Sequence, residues 1–115
     1  MKQIYDFEPK AVETIISTGI MTTVIRLDIT KMEDGTWECE EVEYNHKEPL
    51  TEADYGPLVS TLLRAKFSAD DVEAIQLNYM ESKTTEHKNQ FAELKAWRAT
   101  VKKRAREVIP VTDEE

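Results

Sequence analysis

The side chains able to do chemistry are few and scattered. The chain has one cysteine, Cys39, and two histidines, His46 and His87. A cysteine nucleophile needs a neighbouring base to activate it, and the sequence places neither histidine beside Cys39. Cys39 is therefore expected to be a small buried hydrophobe, and as a lone cysteine it forms no internal disulfide. His46 falls in a polar connection. His87 adjoins Glu86, but adjacent helical residues diverge by about 100° and make a poor metal pair. No Cys–His spacing suits zinc. Asp70 and Asp71 resemble an acid/base or metal pair, yet they sit where a helix start favours negative charge. Glu38, Glu40, Glu41 and Glu43 lack the Asn and Gly geometry of a calcium loop and read as a solvated strand edge. Gly19, Gly35 and Gly56 fall singly, so no phosphate-binding loop is present. These residues supply no catalytic constellation, and neither cofactor nor metal is expected.

Charge is more informative. The formal net charge is −8, which argues against nucleic acid as a partner of the whole surface. The charge is nevertheless segregated. From Lys88 to Arg106 the basic residues are Lys88, Lys95, Arg98, Lys102, Lys103, Arg104 and Arg106, against the single acid Glu93. From Glu33 to Glu48 the acids are Glu33, Asp34, Glu38, Glu40, Glu41, Glu43 and Glu48, against the single base Lys47. On a helix, Lys88, Lys95, Lys102 and Arg106 fall within about 40° of one another, with Arg98 beside them. Such a face is either solvated, paired with the acidic hairpin in the same or a neighbouring chain, or in contact with nucleic acid.

The elements that position these groups divide into two halves. Leu50 to Val108 reads as three helices. The last runs from about Thr84 or Thr85 to Val108, because Phe91, Leu94, Trp97, Val101, Ala105 and Val108 form one apolar stripe roughly 120° wide. Pro110 follows as a stop. The middle helix opens at Ser68, with Asp71 three residues on as a variant capping box. Its expected inward side is Val72, Ile75, Tyr79 and Met80. The first helix has two candidate starts. A Thr51–Asp54 box would leave Pro57 beyond the first turn, at a cost of about 3 kcal/mol; Asp54 as the cap puts Pro57 inside the first turn, and that start is preferred. Leu58 and Leu62, with Tyr55, Val59 and Leu63, supply its apolar side.

The first half is β-rich. Met1 to Lys10 reads as a lead-in anchored by Ile4, Tyr5 and Phe7, with Pro9 opposing a regular central strand. Ala11 to Ser17 is compatible with a strand or a helical turn. Met21 to Met32 is a strand by its Thr, Val and Ile content. Asp34-Gly35 suits a two-residue type I′ turn, and Trp37 to Tyr44 returns. That loop sets Met32 opposite Trp37, Lys31 opposite Glu38, Leu27 opposite Val42, Arg26 opposite Glu43 and Ile25 opposite Tyr44, with Asp28 against Glu41 as the one bad pair. Ile25, Leu27, Ile29, Val42 and Tyr44 then share the face toward the helices. Trp37 shares the other with Arg26, Asp28 and Glu43, and Met32 with Trp37 forms a candidate contact patch.

The runs Leu50 to Val59 (LTEADYGPLV), Ser68 to Ile75 (SADDVEAI) with Asn78 and Tyr79, and Phe91 to Arg98 (FAELKAWR) onward through Arg104 and Ala105 resemble small uncharacterised proteins of phage and prophage tail gene regions, including tail-associated and tail-fibre-assembly proteins. The resemblance covers the second half of the chain and rests on packing and capping residues. It implies a virion or assembly role and transfers no active-site residue.

The expected architecture is α+β: an N-terminal antiparallel hairpin or three-stranded meander packed on a C-terminal three-helix unit. One domain spans 1–115, with a β-rich half over 1–49, helices over 50–109 and an acidic tail over 110–115. No apolar run approaches the roughly 18 residues of a membrane span, and Met1 to Phe7 lacks a signal-peptide core. A soluble, cytoplasmic protein is expected, or a virion-associated one if phage-derived. The function expected is a non-enzymatic structural or interaction protein that self-associates or binds a protein partner, with candidate contacts at Met32, Trp37, Lys95, Arg98, Lys102 and Arg106. The alternative is a regulatory or nucleic-acid-binding module that uses the basic helix.

Overall fold

Four strands precede three helices in the structure, a computed structural model that describes residues Met1–Pro110. The strands are β1 (Lys2–Tyr5), β2 (Val12–Ser17), β3 (Ile20–Lys31) and β4 (Trp37–His46). A 3₁₀ turn (Glu52–Asp54) leads into α1 (Tyr55–Leu63), followed by α2 (Ala69–Glu81) and α3 (Thr85–Val108). Beyond Pro110, the expected acidic tail lies outside the described residues. The sheet is antiparallel with order β1-β4-β3-β2, so the fold is α+β. Ala11 to Ser17, left open between strand and helical turn, supplies β2. The lead-in contains β1, an edge strand that ends before Pro9. The meander β2-β3-β4 is thus extended by a strand that precedes it in sequence, the neighbour relation of a Greek key.

The type I′ turn expected at Asp34-Gly35 occurs instead at Thr18-Gly19. Thr18 (φ 48°) and Gly19 (φ 80°) both take positive φ between Ser17 and its partner Ile20, the requirement of a two-residue I′ loop. At Asp34-Gly35 the loop is three residues long. The Gly35 N–H donates to the Met32 carbonyl at 3.0 Å, the Met32 N–H donates to the Thr36 carbonyl at 2.7 Å, and Gly35 has φ 92°. This is a type I turn closed by a glycine in the left-handed region. The longer loop moves the register by one residue: Lys31 faces Trp37 and Thr30 faces Glu38. A bulge between Leu27 and Thr30, with Asp28 at φ 54°, moves it by one more. Ile25 therefore faces Val42, Arg26 faces Glu41 and Leu27 faces Glu40. The expected pairs Met32/Trp37, Lys31/Glu38, Leu27/Val42, Arg26/Glu43 and Ile25/Tyr44 do not form. Because the side-chain period is two, a slip of two preserves which face each residue occupies. Ile25 and Leu27 still point to the helices, and Val42 and Tyr44 pack with them.

The helices form as their caps dictate. Ser68 and Asp71 make a reciprocal box: the Asp71 N–H donates to Ser68 Oγ at 3.0 Å, and the Ser68 N–H to Asp71 Oδ2 at 3.1 Å. Thr84 caps α3 by accepting from the His87 N–H. At the first helix both candidate starts occur: Asp54 holds the N-cap position of α1, and the Thr51–Asp54 box closes the 3₁₀ turn before it. The Thr51 N–H donates to Asp54 Oδ2 at 2.9 Å, Asp54 is helical, and its side chain does not cap α1. Pro57 is tolerated because Glu52–Asp54 is 3₁₀ and the α-helix begins at Tyr55. Pro57 is then the third α-helical residue, where no N–H partner exists to be lost.

Leu58 and Leu62 of α1 and Trp97, Val101 and Ala105 of α3 bury against Ile25 and Leu27, with Ile109 closing the core. Leu94 and Trp97 are both buried, and Trp97 Nε1 donates to the Leu63 carbonyl at 3.3 Å. α2 stands apart, with no fully buried residue. It holds α3 through Tyr79, stacked on Phe91 at 4.2 Å. Met80, expected inward, is 74% exposed. Trp97→Ala should cost about 3–5 kcal/mol in urea unfolding, whereas Met80→Ala should stay within about 0.5 kcal/mol of wild type.

Candidate interaction surfaces and a buried arginine

The side chain with most polar partners is Arg26, only 6% exposed and flanked in β3 by Ile25 and Leu27. Strand alternation turns it to the face opposite the helices. There Nε donates to Glu41 Oε1, Nη1 to the Lys10 carbonyl and Nη2 to Glu13 Oε2, each at 2.8 Å. The Tyr5 ring lies 5.1 Å from the guanidinium carbon, and the Tyr5 hydroxyl donates to Glu41 Oε1. These partners come from β1 (Tyr5), β4 (Glu41) and β2 (Glu13), and from the segment that crosses between β1 and β2 (Lys10). One cation thus connects all four strands.

The titration behaviour follows from this geometry. Burial opposes the Arg26 charge, but hydrogen bonds with Glu13, Glu41 and Tyr5 outweigh it, and the guanidinium is held above its ordinary value. Burial also opposes the Glu41 charge. Hydrogen bonds from Tyr5 and Arg26, and the Arg26 charge, prevail and hold the carboxyl below its ordinary value. The bond to Glu41, with burial, raises the Tyr5 phenol. Every polar partner here joins one strand or crossing segment to another, which makes this a structural clasp. Cys39 is buried and free, and burial, followed by the Glu41 charge, raises its thiol. His46 lies at the other end of β4, where Nε2 shares a hydrogen bond with Thr23 Oγ1 at 2.8 Å. His87 Nδ1 lies 2.6 Å from the Ser82 carbonyl. Asp71 caps α2, and among the described residues no cluster of His, Cys, Asp or Glu has the spacing to hold a metal ion.

The candidate contact residues fall in two places. Met32 is exposed at the loop, while Trp37 is half-buried and paired with Tyr5 and Lys31; the extra loop residue separates them, and no Met32/Trp37 patch forms. On α3, Lys95, Arg98 and Lys102 are exposed. Arg106 is set apart from them. Its Nη1 and Nη2 donate to Glu52 at 2.8 and 3.0 Å, and its guanidinium carbon stacks 3.6 Å from the Tyr55 ring centroid. The Arg106 hydrogen bond lowers the Glu52 carboxyl. Pairing of the basic helix with the acidic hairpin inside the chain does not occur among the described residues. Of the hairpin's acids, Glu41 meets Arg26, Glu38 meets Lys2 and Glu40 meets the N-terminal ammonium instead.

Residue patterning did not reveal the clasp, because the expected register set Arg26 against Glu43. One signal was available: a lone cation inside an otherwise uncharged run, Thr14 to Leu27, that spans β2, its turn and β3. No family model, characterised protein or solved structure matches this chain.

A carboxylate whose folded pKa is depressed adds stability that is full above its unfolded value and is lost as pH falls through the folded one. Glu41→Gln should therefore destabilise the protein by about 1–2 kcal/mol at neutral pH. The gap from wild type should close as pH falls below about 4, as read by urea unfolding at a series of pH values.

Proposed function

We propose that this chain is a small non-enzymatic interaction protein that binds an acidic protein surface through the outward side of α3. The carrying observation is that Lys95, Arg98 and Lys102 lie exposed along one helix with no ion pair among the described residues, while Glu38, Glu40 and Glu41 of the acidic hairpin are paired elsewhere. Solvated cations at this spacing present a straight row to a rigid partner, and charge complementarity of that kind sets register and association rate. The likeness of the helical half to phage tail-region proteins suggests a setting in tail or virion assembly. Among the described residues no helix is long and apolar enough to cross a membrane.

A poly-glutamate peptide and a mixed-sequence DNA duplex, each titrated at about 50 and about 200 mM salt, separate the two ligands of such a face. The expected result is peptide binding that the triple variant Lys95→Glu, Arg98→Glu, Lys102→Glu abolishes, with far weaker DNA binding. DNA binding stronger than peptide binding, falling steeply with salt and lost in the same variant, transfers the face to nucleic acid. Binding that the variant leaves intact removes the proposal.

A further inference from the structure

We propose that two copies of this chain join antiparallel through the open edge of β2, making one continuous sheet. The inference goes beyond the α3 proposal and uses a different surface. β2 is the terminal strand of the order β1-β4-β3-β2, and its neighbour β3 occupies only one of its sides. The Arg26 N–H donates to the Ala11 carbonyl at 2.8 Å, which marks Ala11 and Arg26 as a hydrogen-bonded pair. Such pairs alternate along an antiparallel ladder. Glu13, Ile15 and Ser17 therefore turn their backbone groups to β3, and Val12, Thr14 and Ile16 turn theirs to the open side. An edge of this kind is a template for another strand unless it is guarded.

Three observations point to a second copy as the occupant. First, the edge carries one charge, Glu13, which Arg26 of the same chain neutralises at 2.8 Å, and from Thr14 through Ile25 no residue is charged, in a chain that is one third charged and has a net charge of −8. Identical acidic molecules repel over most of their surfaces and approach at lowest electrostatic cost along this run. Second, the edge is apolar and open. Ile15 is 53% and Ile16 70% exposed, and Ile20 across the turn is exposed as well; the helices rest on β3 and β4, and β2 is half-buried only at Val12 and Glu13 and exposed from Thr14 to Ser17. The opposite edge, β1, is shorter and carries Lys2 beside the N-terminal charge. Third, β2 is self-complementary. A two-fold axis at Thr14 sets Thr14 against Thr14 of the partner subunit and Val12 against Ile16 of the partner subunit. Each of these facing pairs exchanges two hydrogen bonds, so every outward backbone group from Val12 to Ile16 is satisfied. The same register keeps both helical layers on one side and gives a closed, isologous dimer. A shift of the axis to Ile15 would set Val12 against the turn residue Thr18 of the partner subunit, whose positive φ removes it from the ladder.

Sedimentation velocity of the full chain from low to high micromolar concentration tests this, with circular dichroism to confirm folding. Wild type should pass from monomer to dimer, at high salt as well as low. Ile16→Lys should lower the association constant at least tenfold. Thr14→Pro should do the same, because proline there removes the outward backbone donor, together with the Thr14–Thr23 hydroxyl bond inside the chain; Ile16→Lys carries the test if that variant fails to fold. Ile4→Lys on the opposite edge should change nothing. In oxidising buffer Thr14→Cys should crosslink, since facing Cα atoms about 5.5 Å apart lie within disulfide range. A monomer at every concentration, or a dimer indifferent to Ile16→Lys, overturns the proposal. Either outcome leaves peptide binding by α3 to be decided on its own titration.

Discussion

One buried cation constrains the sheet more than any other contact. Taking a guanidinium out of water costs several kcal/mol, and the cost is recovered only where good geometry satisfies its donors. Arg26 meets that condition by gathering Glu41, Glu13 and the Lys10 carbonyl at the same short distance, with Tyr5 packed alongside. No two of these groups belong to the same strand. The Arg26 charge is therefore satisfied only when β1, β2 and β4 are all in place and the crossing segment is docked. Hydrophobic burial on the other face discriminates poorly among strand orders, because Ile25 and Leu27 would meet apolar helices in any of them. The polar clasp distinguishes this topology from a bare meander, in which β1 and the segment after it would hang free.

The bulge at Asp28 serves the same end. A three-residue loop at Asp34-Gly35 alone would have slipped β4 by one residue against β3 and turned its apolar set away from the helices. The extra residue at Leu27/Thr30 adds a second slip and restores the parity. It also sets Glu41, and not Glu43, opposite Arg26. Turn chemistry, bulge and buried ion pair are thus one solution: the loop type forces a bulge, and the bulge selects the acid that completes the clasp.

What could be read from the sequence follows the range of the interactions involved. The helices were legible because their signals are local. Ser68 with Asp71 lies within one turn, and Leu94, Trp97, Val101 and Ala105 lie within a few. The fold class and the face assignment of Ile25 and Leu27 were legible because parity survives an even slip. The register was not, because Asp-Gly fits two loop lengths, and no local rule places a bulge at a non-glycine residue with φ 54°. The first turn went to Thr18-Gly19, where threonine at positive φ defies its own preference. The Arg26 clasp was hidden for the same reason, since its partners are far apart in sequence and depend on the register. Of the candidate contacts, Lys95, Arg98 and Lys102 stand exposed as expected. Arg106 is engaged by Glu52, and Met32 is parted from Trp37.

The net figure of −8 does not describe every part of the surface. Glu13 and Glu41 are spent on Arg26, Glu38 meets Lys2, Glu40 meets the N-terminus, and Glu52 meets Arg106. These five acids fasten one part of the chain to another, each against a cation of the same chain, and the excess of acids over bases that gives −8 lies elsewhere on the surface. The cations of α3 flank the stripe of Leu94, Trp97, Val101 and Ala105 that is committed to the core, so the same packing that buries Trp97 and Val101 keeps Lys95, Arg98 and Lys102 exposed on one side of the helix. The helix cannot rotate to hide them without exposing the core residues. Folding fixes the backbone beneath this row, whereas the three exposed side chains keep their rotamer freedom and would be ordered only by a partner, at about 0.5–1.5 kcal/mol each.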